Sequence, residues 1–224
     1  KDYDDSLKNF QKEHNLTIFH LMGQHVNYKQ RYRTKQARFW ASSYEDKRPE
    51  LTNAQRKMLS HYDNATLYND SIVAQIVKRF QKQDAIVIYV PDHGEECYEE
   101  NRGFICRNHS AEIYWPPSHY EFEIPFWIYC SPKYIRNHRD IYRQIRKAKD
   151  KRFMTDALPH LLLYLAGIET PTYKEEYNIL SPKYDEMRPR ILKNSADYDK
   201  LRDAHLEKIK KEESKKVKKK ERRN

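Results

Sequence analysis

The run Ala85-Ile86-Val87-Ile88-Tyr89-Val90 passes directly into Pro91-Asp92-His93-Gly94-Glu95, and this junction constrains the fold more than any other stretch of the chain. Six apolar residues without polar alternation predict a strand covered on both faces, as in a parallel sheet. Pro91 cannot continue a hydrogen-bonded ladder and ends it. In open α/β sheets ligands collect beyond the carboxyl ends of the strands, where Asp92 and His93 fall. A carboxylate oxygen beside a neutral imidazole nitrogen suits zinc or manganese, and Gly94 lets the backbone turn sharply or approach a ligand closely. The same residues also fit a plain turn in which Asp92 caps a helix and His93 faces solvent.

Further segments extend the pattern. Leu16-Thr17-Ile18-Phe19-His20-Leu21-Met22 predicts a second strand, and it too runs into a small turn carrying a histidine, Gly23-Gln24-His25. Between the two strands, Leu51 to Phe80 shows helical spacing, with Met58, Leu59, Tyr62, Leu67, Ile72, Ile76 and Val77 on one side. Strand, helix and strand in that order predict a right-handed βαβ unit. His109 closes the loop after Gly94, and Glu123-Ile124-Pro125-Phe126-Trp127-Ile128-Tyr129 predicts another buried strand. The segment from Phe153 to Ala166 predicts a mostly buried helix that Gly167 ends and in which Pro159 marks the first turn or a kink.

These residues, taken in order, carry a resemblance. Phe-His-Leu-Met-Gly-Gln-His-Val-Asn-Tyr with Lys29, Arg31 and Tyr32, then Tyr62-Asp63-Asn64 with Tyr68, Val-Pro-Asp-His-Gly-Glu-Glu, His109 and Glu-Ile-Pro-Phe-Trp-Ile resemble the phosphoethanolamine transferases. These are membrane-anchored enzymes with a sulfatase-like domain of the alkaline-phosphatase superfamily. The resemblance runs from about Leu16 to about Gly167. It implies an α/β fold with a mixed, largely parallel sheet flanked by helices, present here as a partial domain. Residues 1–185 would be the C-terminal part of the catalytic domain and 186–224 a basic tail, helical or disordered.

The resemblance also implies chemistry. Asp92 and His93 match the zinc-ligating Asp-His pair of that family, and His25 and His109 match the two histidines on the substrate-phosphate side. In such enzymes a metal-activated threonine attacks phosphatidylethanolamine, and a lipid A or cell-surface glycan acceptor then takes the phosphoethanolamine group. Zinc lowers the pKa of a bound hydroxyl and offsets charge on the phosphoryl group, while imidazoles donate to its oxygens or protonate the leaving group. The nucleophilic threonine and a first carboxylate ligand are expected upstream of residue 1, because none of Thr17, Thr34, Thr52, Thr66 and Thr155 stands in a matching context. The expected place of action is the inner membrane, with the catalytic domain facing the periplasm and in contact with the membrane surface.

Composition bears on the rival readings. A mean hydropathy of −1.09 and 38% hydrophobic residues are low for a covered parallel sheet, and eighteen tyrosines supply part of the apolar area. No run reaches the length of a membrane span. The net charge of +10 is concentrated late: from Leu206 to Asn224 ten Lys or Arg face four Glu. No aromatic residue interleaves with these cations, which argues against nucleic acid as a partner and leaves a solvated helix end or a contact with anionic headgroups. Cys97 and Cys106 have a spacing that a disulfide can close, which would hold His109 near the metal; two thiols are the alternative, and Cys130 fits a buried small residue. Glu95 and Glu96 would orient His93, meet an ethanolamine ammonium, or be exposed turn acids. Lys29, Arg31 and Tyr32 would meet phosphate or form a basic surface turn. After Thr170 no core period is visible, and peripheral structure is expected. The alternatives to the transferase are a sulfatase-like phosphoric or sulfuric ester hydrolase and a non-catalytic domain that binds an anionic surface.

Overall fold

A single hydroxyl ties together the ends of two strands and starts a helix. Ser131, fully buried, donates to the carbonyl of Gln83 at 2.6 Å and accepts from the amides of Ala85 and Tyr134 at 3.3 and 3.0 Å. The surroundings of this serine are seen in the computed structural model, which describes residues 14–103, 105–107 and 113–221, with side chains as far as 215. The chain divides into two compact units, Lys1–Ser71 and Ile72–Asn224.

The first unit is built on helix α1 (Asn53–Phe80), which begins here and runs past the division. Its start follows from a reciprocal cap: the Gln55 amide donates to the Thr52 hydroxyl and the Gln55 side chain accepts from the Thr52 amide. Irregular chain with three short 3-10 turns, Tyr28–Gln30, Thr34–Gln36 and Ala41–Tyr44, packs on the helix. Asn64, buried on α1, accepts from the amides of Arg38 and Phe39 and donates to the carbonyls of Phe39 and Ser60. Three of its four hydrogen bonds therefore hold residues 38–39, and the fourth returns to its own helix. Tyr28 meets Tyr62 edge-on at 5.3 Å, and the Tyr44 hydroxyl donates to Asp63. The strand expected over Leu16–Met22 does not form: these residues are irregular, and Leu16, Ile18 and Met22 are 77, 80 and 60% exposed. An apolar run makes a strand only where a second strand meets its amides and carbonyls, and none pairs with it among the described residues. The βαβ unit expected from it is therefore not formed among them.

In the second unit β1 (Ile86–Tyr89), β2 (Glu96–Cys97), β3 (Ile105–Cys106), α2 (Pro117–Phe122) and β4 (Trp127–Cys130) follow in order. β1 and β4 pair antiparallel, Ile86 opposite Cys130 through Tyr89 opposite Trp127, with the last pair of rings stacked at 5.2 Å. β2–β3 and β5 (Ile191–Leu192) with β6 (Ala196–Asp197) are also antiparallel. The fold is α/β as expected, but every pairing among the described residues is antiparallel, and the β1 residues are half-buried instead of covered on both faces. An unbroken apolar run records burial and carries no information on the direction of the neighbouring strand.

Helix α3 (Pro132–Asn137) follows β4, and the core gathers residues of α4 (Arg139–Ala148), α5 (Leu158–Leu165) and β4. Ala148, Leu161, Ile179 and Leu180 are buried at its centre, with Phe126, Ile128, Ile145, Phe153 and Leu165 around them. Pro159 sits in the first turn of α5, where its missing amide costs nothing, and Gly167, at φ 64°, closes the helix. The stretch after Thr170 is not peripheral. Asn178, fully buried, donates to the Tyr173 hydroxyl and accepts from the Leu180 amide, and this turn delivers Ile179 and Leu180 to the core. Two apolar residues set by a turn have no period to betray them. Helix α6 (Tyr198–Glu221) follows β6. Its Asp199 pairs with Arg190 at 2.6 Å and with Arg152, and its Tyr198 hydroxyl donates to Glu123. Among the described residues no helix is long and apolar enough to cross a membrane.

Candidate functional site

The turn after β1 is shaped by the backbone of α2. The Gly94 amide donates to the Glu121 carbonyl at 2.8 Å, and a β-carbon at Gly94 would stand 2.2 Å from the Tyr120 carbonyl oxygen. Only glycine fits between these carbonyls, so the requirement at this position is steric closeness. Immediately before it, His93 is 17% exposed and Asp92 84% exposed. The His93 Nδ1–H donates to the Gly94 carbonyl at 2.7 Å, and its backbone amide donates to Asp92 Oδ1 at 3.1 Å. The first bond fixes the tautomer, leaving the Nε2 lone pair 3.4 Å from Asp92 Oδ2.

That separation fits zinc. Two donors each about 2.0–2.1 Å from one tetrahedral zinc lie roughly 3.4 Å apart. The backbone carbonyl that orients His93 is the usual support of a ligating imidazole. No group of three or more His, Cys, Asp or Glu side chains able to hold a metal is present among the described residues, so Asp92 and His93 stand as a two-donor pair. Arg107, which follows β3, brings Nη1 to 3.9 Å from Asp92 Oδ2. The sequence marked this arginine only by its place in the loop before His109.

The β2–β3 hairpin follows the turn directly in the chain. Glu96 is fully buried, with Oε1 2.7 Å from Arg102 Nε and Oε2 without a hydrogen bond. Burial pushes its carboxyl above the ordinary range, and the Arg102 guanidinium opposes the rise. Glu96 is thus not an exposed turn acid, and its pairing with Arg102 assigns it to the hairpin. The disulfide considered for Cys97 and Cys106 is not formed: all three cysteines carry thiols. The register explains it, because Cys97 lies opposite Ile105 and Cys106 opposite Glu96, and successive residues of a strand face opposite sides. Cys130 is buried at the end of β4, where burial raises its thiol pKa.

His25 belongs to the first unit. It is exposed on a turn closed by its own amide bonding to the Met22 carbonyl at 3.1 Å. Arg31 clamps this turn by donating Nε to the His25 carbonyl and Nη2 to the Val26 carbonyl, both at 3.0 Å. The Tyr32 hydroxyl bonds His61 Nδ1 at 2.9 Å, and burial together with Lys29 and Lys57 lowers the His61 pKa. Arg31 therefore builds the turn, while Tyr32 and Lys29 bear on His61 of α1. His109 lies outside the described residues.

Comparison with known proteins is consistent with this geometry. The sulfatase family model matches residues 1–168. Phosphoethanolamine transferase EptC of Escherichia coli O18:K1:H7 is 31% identical over 200 residues, which are 83% of this chain and 32% of that protein. Kdo(2)-lipid A phosphoethanolamine 7''-transferase of Escherichia coli K12 is 30% identical over 139 residues, 61% of this chain and 23% of the relative. The crystal structure of the C-terminal periplasmic domain of EptC from Escherichia coli in complex with Zn superposes with a TM-score of 0.64 at 28% identity, covering 80% of this chain and 50% of that one. The chain spans about a third of the length of the first of these relatives. With its Asp-His turn at the end of β1 and a family model matched over residues 1–168, the chain belongs to the sulfatase family.

Proposed function

We propose that this chain forms part of the catalytic domain of a zinc-dependent phosphoethanolamine transferase. The donor is phosphatidylethanolamine, and the acceptor is lipid A or a cell-surface glycan, met at the periplasmic face of the inner membrane. The observation that carries the reading is the 3.4 Å separation of Asp92 Oδ2 and His93 Nε2 on a turn that only glycine permits. Relatives named phosphoethanolamine transferases, and a solved EptC domain in complex with Zn, support it.

In this reading Asp92 and His93 hold the zinc, which supplies a Lewis acid and offsets negative charge on the phosphoryl group. The bond from the His93 Nδ1–H to the Gly94 carbonyl leaves Nε2 as the His93 atom that would meet the metal. Arg107, beside Asp92, directs a fixed positive charge toward phosphoryl oxygens. His25 and His109 serve the phosphate side, donating hydrogen bonds to its oxygens and a proton to the leaving group. The nucleophilic threonine comes from the part of the relatives' length that this chain does not span.

Zinc titration followed by a transfer assay tests this. The wild-type chain, which offers a two-donor pair, is expected to bind zinc weakly, and His93→Ala to lose that binding. The natural protein is expected to transfer a fluorescent phosphoethanolamine headgroup only when His93 is intact. Uptake unchanged in His93→Ala, or transfer that survives it, overturns the reading.

A further inference from the structure

The segment that shapes the Asp-His turn is too short to hold itself in place. Helix α2 spans six residues, Pro117–Phe122, and a helix of that length gains little from its own hydrogen bonds. Its end nevertheless presents three carbonyls to Gly94. Glu121 accepts the Gly94 amide at 2.8 Å, and the Tyr120 and Glu123 carbonyl oxygens would stand 2.2 and 3.2 Å from a β-carbon there. Whatever fixes residues 120–123 therefore fixes the turn that carries Asp92 and His93.

The Glu123 carboxylate is such a fixing point. Its Oε1 accepts from the Tyr198 hydroxyl, and its Oε2 lies 3.2 Å from His119 Nδ1, one helical turn earlier. Trp115 stacks on His119 at 5.7 Å and meets Tyr198 edge-on at 5.3 Å, so ring contacts run beside the carboxylate. Tyr198 is itself held from the other side. It is buried, its amide donates to the Arg190 carbonyl at 2.8 Å, and the Arg190 guanidinium lies over its ring at 4.6 Å. Arg190 in turn pairs with Asp199 at 2.6 Å. All of these residues belong to the second unit, and Tyr198 lies beyond the stretch that the sulfatase family model matches.

We infer that Tyr198 is a positioning residue for the metal-binding turn. Its hydroxyl, through Glu123, holds the carbonyls of residues 120–123 against Gly94 and so keeps Asp92 Oδ2 and His93 Nε2 at the spacing that zinc requires. Tyr198 acts through backbone and not as a ligand. The inference rests on the zinc-dependent reading above.

Amide hydrogen exchange at Gly94 in the zinc-stripped natural protein reads this brace without turnover. Tyr198→Phe keeps the ring between Trp115 and Arg190 and removes only the hydroxyl. It is expected to speed exchange at Gly94 about tenfold, to leave exchange at Leu165 of α5 unchanged, and to weaken zinc binding about tenfold. Glu123→Gln keeps an oxygen for the hydroxyl and should stay near wild type. Glu123→Ala should match Tyr198→Phe, and joining the two changes should add nothing further. Tyr164→Phe, which loses a hydroxyl bond to Gln144 elsewhere in the same unit, should leave Gly94 as it is. Unchanged exchange at Gly94 or unchanged zinc affinity in Tyr198→Phe, equal speeding at Leu165, or losses that sum in the double variant overturns the inference. A wild-type protein that binds no zinc, with the Gly94 response as expected, overturns the transferase reading and leaves the brace standing as a support of the turn.

Discussion

A β-carbon added at Gly94 would stand 2.2 Å from the carbonyl oxygen of Tyr120. The obstacle is backbone, held in α2, and cannot turn aside as the end of a side chain can. Gly94→Ala therefore has to displace either α2 or the Asp-His turn. The expected result is a loss of about 3 kcal/mol in urea unfolding, together with loss of zinc uptake in calorimetric titration. An alanine variant that binds zinc like wild type would show that the turn has room the structure denies it.

Asn64 serves two amides and two carbonyls from a buried position. Asn64→Ala leaves the amides of Arg38 and Phe39 without their acceptor and is expected to cost about 3 kcal/mol. Asn64→Asp should be no better, since it keeps the acceptor but turns an oxygen toward the carbonyls of Phe39 and Ser60. Denaturant midpoints and faster amide exchange at residues 38 and 39 check both.

Ser131→Ala removes the helix cap of α3 and orphans groups at Gln83 and Ala85. The cost is expected to be about 2 kcal/mol, read as a lower Tm with little change in zinc uptake. Ser131→Thr keeps the hydroxyl but places a methyl where the residue is fully buried, so it should restore only part of the loss.

The Asp199 carboxyl is held below the usual carboxylate range first by its hydrogen bond to Arg190, with Arg152 and Arg202 adding to the effect and burial opposing it. A depressed folded pKa contributes stability above the unfolded value of about 3.9, and that contribution is lost as pH falls through the folded value. Asp199→Asn should therefore cost about 2 kcal/mol near neutrality. The wild-type and variant unfolding curves should converge in acid. A constant gap across the whole pH range would place the effect in packing instead.

How much of this was legible follows from what each signal records. The Asp92-His93-Gly94 turn could be read because an apolar run, a proline and two donor side chains fall in consecutive positions. Helix α1 could be read because its apolar period is sustained from Leu51 to Phe80. The strand expected at Leu16–Met22 does not form, and the pairings among the described residues are antiparallel, for one reason: pairing is a property of two segments, and hydropathy describes one. Arg107, Glu96 and Arg102 were obscured in a polar loop, since which polar residues turn inward is settled by the hairpin register. Ile179 and Leu180 were missed because a side-chain-locked turn around Asn178, and no periodic element, carries them inward.

Those last two residues set a condition on the birth of the molecule. Leu161, Ala148 and their neighbours share a core with side chains some twenty to thirty positions further along the chain. A polypeptide that ends before Asn178 leaves that apolar surface open to solvent and to any chaperone that recognises it. Domains settle as units once their core residues are together, so the second unit stays open until Ile179 and Leu180 can join it, however early its helices form.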